Sequence, residues 1–75
     1  MKIYFGKALK KLREDRGISQ EELAYESGYH RTYISQLERG QKSPSMQTIF
    51  QLASALNVKP SEIVHAVEDL LSKKH

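Results

Sequence analysis

The sequence predicts an all-α protein, a compact bundle of five short helices that forms a single domain over residues 1–75. Three observations predict this fold class. Apolar residues recur at the i, i+3, i+4 and i+7 spacing of amphipathic helices. Glycine, serine, proline and asparagine interrupt that period and divide the chain into short segments. No run alternates between apolar and polar residues with the period of two that a strand shows.

The first two helices are separated by a turn at Gly17, which supplies the left-handed residue that commonly ends a helix. The first helix is predicted over residues 3–16. Its apolar stripe consists of Phe5, Ala8, Leu9 and Leu12. The second helix opens at Ser19 and stops at Ser27-Gly28. Glu22 follows Ser19 by three residues, the spacing of a capping box in which each side chain accepts a backbone N–H. The inward residues of this helix are Leu23 and Ala24.

The third and fourth helices are joined by a polar loop at residues 41–45. The third helix is predicted over Arg31–Arg39, and Gly40 ends it. Its inward residues are Ile34 and Leu37. Ser45 is the expected cap of the fourth helix, and Asn57 is its expected end. The apolar stripe of the fourth helix consists of Met46, Ile49, Leu52, Ala53 and Leu56.

The fifth helix opens at Pro60, because a first helical position tolerates proline, and it runs into Lys73-Lys74. Its apolar face consists of Ile63, Val64, Val67, Leu70 and Leu71. Val64 and Leu71 form a second row beside the stripe that closes the core. A monomer this small has little left to cover that row, so we predict that residues 61–73 form a dimerisation helix with all five apolar residues in the interface. The alternative is that all five residues pack inside one chain.

Between Gln20 and Arg39, two short helices are joined by a turn at Gly28. Ala24 stands four residues before the glycine and Ile34 stands six after it. Ala24 is small enough for the second helix of the pair to cross close to it, while Gly28 can take a positive φ. Ile34 then locks the crossing from the other side.

This stretch resembles the helix-turn-helix of the phage-repressor/Cro-like family, also called the XRE family. The resemblance lies in Ser19-Gln20-Glu21-Glu22-Leu23-Ala24, in Gly28 and in Ile34-Ser35-Gln36-Leu37-Glu38-Arg39-Gly40. It continues through Pro44-Ser45, Leu52-Ala53-Ala55-Leu56 and Pro60-Ser61-Glu62 and so covers nearly the whole chain. The family resemblance implies a lambda-repressor-like fold that binds DNA.

A closer resemblance within the family is to the controller proteins of restriction–modification operons, which are small dimeric regulators. It lies in Leu23-Ala24-Tyr25 and in Arg31-Thr32-Tyr33-Ile34-Ser35. The chain departs from the family pattern at Lys59, where a serine or aspartate usually caps the fifth helix.

The polar face of the third helix is the predicted reading surface. At about 100° per residue, Thr32, Gln36 and Arg39 point away from Ile34 and Leu37, and Ser35 lies beside them. Arg31 lies in the first turn, the end of a recognition helix that enters the major groove most deeply. The predicted base-reading residues are Arg31, Thr32, Ser35 and Gln36. The alternative is an ordinary solvated helix face.

A second set of residues is predicted to contact the DNA backbone: Gln20, Tyr33, Arg39, Lys42, Ser43 and Ser45. Gln20 lies where a helix N-terminus and a side-chain amide can both bind a phosphate, with an exposed glutamine as the alternative. Tyr33 either contacts the backbone or covers the edge of the core, and the sequence leaves both open. Tyr25 and Tyr29 are expected to pack, because major-groove recognition needs no stacking platforms.

Glu38 faces inward on the third helix, where an unpaired carboxylate would be costly, so it needs a partner. The family resemblance implies that this partner is Arg13 on the first helix, in a structural salt bridge. His30 is the expected cap of the third helix, with a base or phosphate contact as the alternative. His65 is expected at the surface or at the edge of the dimer.

Composition excludes several other classes of protein. The chain has no cysteine, and its three histidines are scattered, so we expect no disulfide, no metal site and no cofactor. No nucleophile and base stand in a catalytic arrangement, and an enzyme is therefore not expected. No apolar run is long enough to span a bilayer, and the segment Met1–Phe5 lacks the apolar centre of a signal peptide, so a cytoplasmic protein is predicted.

The net charge of +3 is confined to the part of the chain that holds the motif. Residues 1–45 carry nine basic and six acidic side chains, a surplus of 9 − 6 = +3, whereas residues 46–75 carry three of each. This asymmetry favours a polyanionic partner. The predicted function is a transcription regulator that binds a palindromic operator in double-stranded DNA as a homodimer. The alternative is an antitoxin-type module that uses the same fold to hold a partner protein.

Overall fold

The computed structural model describes residues 1–73, which form five α-helices and no strand. The helices are α1 (Lys2–Asp15), α2 (Gln20–Ser27), α3 (Arg31–Glu38), α4 (Met46–Leu56) and α5 (Pro60–Lys73). The predicted five-helix, all-α fold is confirmed, with helix bounds that differ from the prediction by about one residue. Lys74, which was placed in the basic tail, lies outside the described residues.

Side-chain caps determine where three of the helices begin. The capping box of α2 is complete, with Ser19 Oγ accepting the Glu22 N–H at 3.0 Å and Glu22 Oε1 accepting the Ser19 N–H at 2.9 Å. His30 Nδ1 accepts the Thr32 N–H at 3.3 Å at the start of α3. Ser45 Oγ accepts the Thr48 N–H at 3.1 Å at the start of α4. These three predicted caps are confirmed.

The helix α5 begins differently, as the departure at Lys59 indicated. Lysine has no acceptor for the free N–H groups of a first turn. The Lys59 backbone N–H instead donates to Glu62 Oε2 at 3.0 Å, so only one half of a capping box is present. The helix nevertheless forms over 14 residues, because its apolar face packs against α1 and α4.

All five helices contribute to one core. Its fully buried large side chains are Leu9, Leu23, Ile34, Leu37, Leu52, Leu56 and Ile63. The helix α1 packs against α3 and α5, α2 packs against α3 and α4, and α4 packs against α5. None of the helices within residues 1–73 is long and apolar enough to cross a membrane.

Two side chains that were predicted to pack lie at the surface. Met46 is 70% exposed, because it is the first residue of α4 and extends beyond the neighbouring helices. Tyr25 is 86% exposed on the outer face of α2, so its predicted packing role is wrong. Thr48, not Met46, is the buried residue in the first turn of α4.

Glycine allows α1 to cross close to the end of α3. A Cβ atom at Gly6 would lie 2.5 Å from the Leu37 carbonyl oxygen and 2.6 Å from that of Glu38, which is far inside van der Waals contact. Helical periodicity does not predict this contact, because Gly6 stands inside a helix and has no side chain to place on a face. The close crossing brings α1 against the helix that carries the predicted reading residues.

Candidate nucleic-acid interface

The two faces of α3 differ in burial and in chemistry. Ile34 and Leu37 are fully buried against the other helices. On the opposite side, Arg31 and Thr32 are exposed, whereas Gln36 is partly buried. The turn at Gly28, where φ is +79°, sets the angle at which α3 leaves α2. The structure therefore presents the predicted reading residues on one accessible side of a helix whose other side is fixed in the core.

Two of the predicted contact residues bind each other along α3. The Arg39 guanidinium donates from Nη2 to Ser35 Oγ at 2.8 Å, across one helical turn. Arg39 is the C-cap residue of α3 and is exposed. The bond holds the guanidinium beside the polar face of α3, and a guanidinium has further N–H groups that can donate to a ligand.

The loop that follows α3 presents further donors at the surface. Lys42 and Ser43 are exposed, and so is Ser45 at the start of α4. The Ser45 hydroxyl both caps α4 and lies 3.0 Å from Thr48 Oγ1. The loop thus ends on a residue that is fixed at the start of α4.

Tyr33 lies between the reading face and the core. Its ring centroid is 5.0 Å from that of Tyr29, and its hydroxyl is 3.4 Å from Thr48 Oγ1. The Tyr29 hydroxyl bonds to Thr48 Oγ1 at 3.0 Å and also to Gln51. The structure shows that Tyr33 covers the edge of the core and that Tyr29 packs as predicted. Tyr33 is partly exposed, and its predicted contact with the DNA backbone stays a prediction.

Thr48 connects α3 to α4 and to the loop between them, a role that was not predicted from the sequence. Thr48 is buried, and its hydroxyl lies within hydrogen-bond distance of Tyr29, Tyr33 and Ser45. The sequence did contain a signal for this role. Thr48 stands three residues after the serine cap, in the first turn of the helix, where a hydroxyl group can bond to the cap.

Arg13 and Glu38 form the ion pair that the family resemblance implies. Arg13 Nε donates to Glu38 Oε2 at 2.6 Å, and Arg13 Nη2 donates to Glu38 Oε1 at 3.1 Å. Only 11% of the Arg13 side chain and 2% of the Glu38 side chain are exposed. The hydrogen bond to Glu38 raises the pKa of Arg13 above its ordinary value, against the opposing effect of burial. Both groups are therefore held in one arrangement between α1 and α3.

The ion pair also reaches the start of α2. Arg13 Nη1 donates to the Ile18 carbonyl oxygen at 2.8 Å, one residue before the cap Ser19. Gln20 Nε2 donates to Glu38 Oε1 at 3.0 Å. Gln20, predicted to contact a phosphate, is thus partly buried and hydrogen-bonded to the end of the reading helix.

The apolar residues of α5 divide between the core and the surface. Ile63 and Val67 are buried within the monomer, and Leu70 and Leu71 are partly buried. Val64 is 50% exposed and borders an apolar groove of about 230 Å³, which Phe5 and Ile49 also line. Two of the five residues placed in a dimer interface are therefore enclosed by their own chain, because α1 and α4 cover them.

A further expectation concerns His65. His65 is exposed on α5, in agreement with the surface position predicted for it, and its Nδ1 atom lies 3.9 Å from Glu68 Oε1. Within residues 1–73, no three histidine, aspartate or glutamate side chains come together as a metal site.

Comparison with known proteins identifies the family. The model of the Helix-turn-helix family HTH_3 matches residues 9–63, from the middle of α1 to the start of α5. The chain belongs to this helix-turn-helix family. The resemblance on which the sequence prediction rested is thereby confirmed.

Several relatives of this helix-turn-helix protein are controller proteins. Control protein C.BamHI of Bacillus amyloliquefaciens is 37% identical over 65 residues, which are 85% of this chain and 80% of the relative. Control protein C.MunI of Mycoplasma sp. is 35% identical over 69 residues, 91% of this chain and 93% of the relative. The crystal structure of the restriction-modification controller protein C.AhdI from Aeromonas hydrophila is 44% identical, with a TM-score of 0.80 over 83% of this chain and 94% of that one. These relatives are regulators and not enzymes.

Proposed function

We propose that this protein, a DNA-binding transcription regulator of the helix-turn-helix family, binds a palindromic operator as a homodimer with α3 in the major groove. The observation that carries the proposal is the division of α3 into a buried apolar face and an accessible polar face. A helix fixed in this way can enter a groove without uncovering the core. The DNA partner implies that the protein acts in the cytoplasm.

Sequence discrimination is assigned to Arg31, Thr32, Ser35 and Gln36. The forked guanidinium of Arg31 matches the N7 and O6 acceptors of guanine, and the amide of Gln36 matches N6 and N7 of adenine. Arg31 is exposed in the first turn of α3, the position from which a recognition helix reaches base edges. Thr32 and Ser35 have hydroxyl groups on the same side and complete the reading set.

Contacts to the DNA backbone are assigned to Gln20, Tyr33, Arg39, Lys42, Ser43 and Ser45. Exposed cations and hydroxyl groups follow α3 in the loop, where they would meet the phosphates that border the groove. Arg39 and Lys42 each supply a charge that would release counterions on binding, so they contribute to the salt dependence of the affinity.

A homodimer would provide the selectivity that one small module lacks. A single module of this kind reads few base pairs, and two-fold symmetry places two reading helices about 34 Å apart, one turn of DNA. The exposed Val64 and the partly buried Leu70 and Leu71 are the members of the predicted interface that a partner can reach. The similarity to C.BamHI, C.MunI and C.AhdI supports a role as controller of a restriction–modification operon.

Selection from a random duplex library tests the proposal. The protein should enrich an inverted repeat, and its affinity for that duplex should exceed its affinity for scrambled DNA by about 1,000-fold or more at physiological salt. Binding to both should weaken as salt rises. Enrichment of no sequence, or equal affinity for selected and scrambled duplexes, would contradict a sequence-specific regulator.

A further inference from the structure

The hydrogen bond between Gln20 and Glu38 connects a proposed phosphate contact to the buried ion pair. Gln20 Nε2 lies 3.0 Å from Glu38 Oε1, and the two residues are separated by 18 positions in the sequence. One of them begins α2 and the other ends α3. The inference drawn from this bond rests on the proposed function, because it concerns what Gln20 does on DNA.

The chemistry of the pair fixes which way the Gln20 amide points. A carboxylate accepts hydrogen bonds and donates none, so the amide nitrogen of Gln20 must face Glu38. Its second N–H is then left for another acceptor. An isolated glutamine amide could turn over and present its oxygen to the same place, and Glu38 prevents this.

Glu38 can serve as a fixed point because its own carboxylate cannot turn. Arg13 donates to both of its oxygens, at 2.6 and 3.1 Å, and the same guanidinium is held by the Ile18 carbonyl oxygen at 2.8 Å. The Glu38 side chain is 2% exposed, so water does not compete for these bonds. Ile18 therefore holds Arg13, Arg13 holds Glu38, and Glu38 holds the amide of Gln20.

We propose that Glu38 is a positioning residue for DNA binding, which orients the Gln20 amide so that its second N–H meets a phosphate in a fixed register with α3. Holding the side chain in place before DNA arrives removes most of the entropy loss that ordering a free glutamine would add on binding. The Arg13–Glu38 pair then acts on affinity as well as on stability.

The first experiment removes the ion pair without leaving an unpaired charge. The double variant Arg13→Met with Glu38→Met replaces both partners by apolar side chains of similar length, a change that leaves many folds stable. Circular dichroism establishes the temperature at which this variant is folded, and affinities are measured there. We expect its binding to operator and to random duplex to fall about tenfold, as expected for Gln20→Ala.

Combining the variants distinguishes positioning from simple structural support. With Arg13→Met and Glu38→Met present, adding Gln20→Ala should cause no further loss of affinity. Gln47→Ala, which removes an exposed glutamine of α4, is the matched control and should leave affinity unchanged. The positioning role would be overturned by unchanged affinity in the folded double variant Arg13→Met with Glu38→Met. A further loss of affinity on adding Gln20→Ala to that variant would also overturn it.

A second measurement needs no change to the ion pair. In the unmodified protein without DNA, the side-chain amide protons of Gln20 should exchange with water at least several-fold more slowly than those of Gln47. Equal exchange rates would show a freely turning amide and would also overturn the inference. Failure of the unmodified chain to bind any duplex would instead overturn the proposed function, and this inference with it.

Discussion

The helices α3 and α5 both close the core with an apolar face, yet their positions are fixed by different forces. The inner face of α3 includes Glu38, whose carboxylate accepts three directional hydrogen bonds from Arg13 and Gln20. The inner face of α5 includes Ile63 and Val67, which contact the core by apolar packing. Apolar packing is not directional, whereas hydrogen bonds specify an angle and a distance. The directional bonds thus lie on α3, the helix that carries the predicted reading residues.

The outer faces of α3 and α5 also differ, since one is polar and the other includes an exposed apolar residue. The exposed Arg31 and Thr32 on α3 can form hydrogen bonds with a polar partner. The half-exposed Val64 on α5 would instead stabilise a complex in which it is buried. On the proposed function, α3 contacts the DNA and the outer face of α5 contacts a second protomer. Four sets of substitutions test the two helices, in order of decreasing effect.

Breaking the ion pair on the α3 side should have the largest effect. Arg13→Met leaves the carboxylate of Glu38 buried without its charge partner, and the free energy of unfolding should fall by about 3–5 kcal/mol. Chemical denaturation measures this loss. Val67→Ala, a cavity-forming change on the α5 side, is the comparison. A double-mutant cycle of Arg13→Met and Glu38→Met that shows no coupling would refute the assignment.

Placing a charge on the outer face of α5 should separate the protomers. Covering the exposed half of each Val64 is worth about 0.8 kcal/mol or more, and Val64→Asp also places two unpaired carboxylates in a two-fold interface. Self-association should therefore weaken at least about 100-fold. Sedimentation at tens of micromolar measures the change. Ser54→Asp, which adds the same charge at an exposed position of α4 outside the predicted interface, is the control. The dimer proposal fails if the unmodified protein is itself monomeric under these conditions.

Removing a reading side chain from α3 should affect selectivity more than stability. Arg31→Ala or Gln36→Ala should lose about 1–3 kcal/mol of binding free energy on the operator, with little change on random DNA or in the melting temperature. Competition binding on selected and scrambled duplexes measures the difference. Equal losses on both duplexes would reassign these residues to phosphate contacts.

Completing the missing cap of α5 should have the smallest effect. In Lys59→Ser, the new hydroxyl can accept an N–H of the first turn while Glu62 keeps its bond to the backbone of residue 59, and stability should rise by about 0.5–1 kcal/mol. Ser19→Ala at the complete capping box of α2 should cause a loss of about 1 kcal/mol. Thermal unfolding of both variants checks the two signs, and destabilisation by Lys59→Ser would contradict the account of this helix start.

The sequence by itself determined the five helices, their caps at Ser19, His30 and Ser45, and the turn at Gly28. These features depend on interactions between residues at most four positions apart, so the local order of residues contains them. The accessible side of α3 followed from the same helical period. The prediction that Met46 packs inward is wrong, because periodicity gives the angle of a side chain on its helix and does not show whether a neighbouring helix reaches it. The prediction that Tyr25 packs is also wrong, because excluding a base-stacking role does not show where a side chain lies.

Only the tertiary structure decided the contacts between residues that are distant in sequence. It brought Gln20 to Glu38, 18 positions apart, and joined Tyr29 to Thr48, 19 positions apart. It also enclosed Ile63 and Val67 within the monomer and left Val64 at the surface. No local rule gives these results, because each depends on the distance and angle at which whole helices cross, and the packing of all five helices sets those values together.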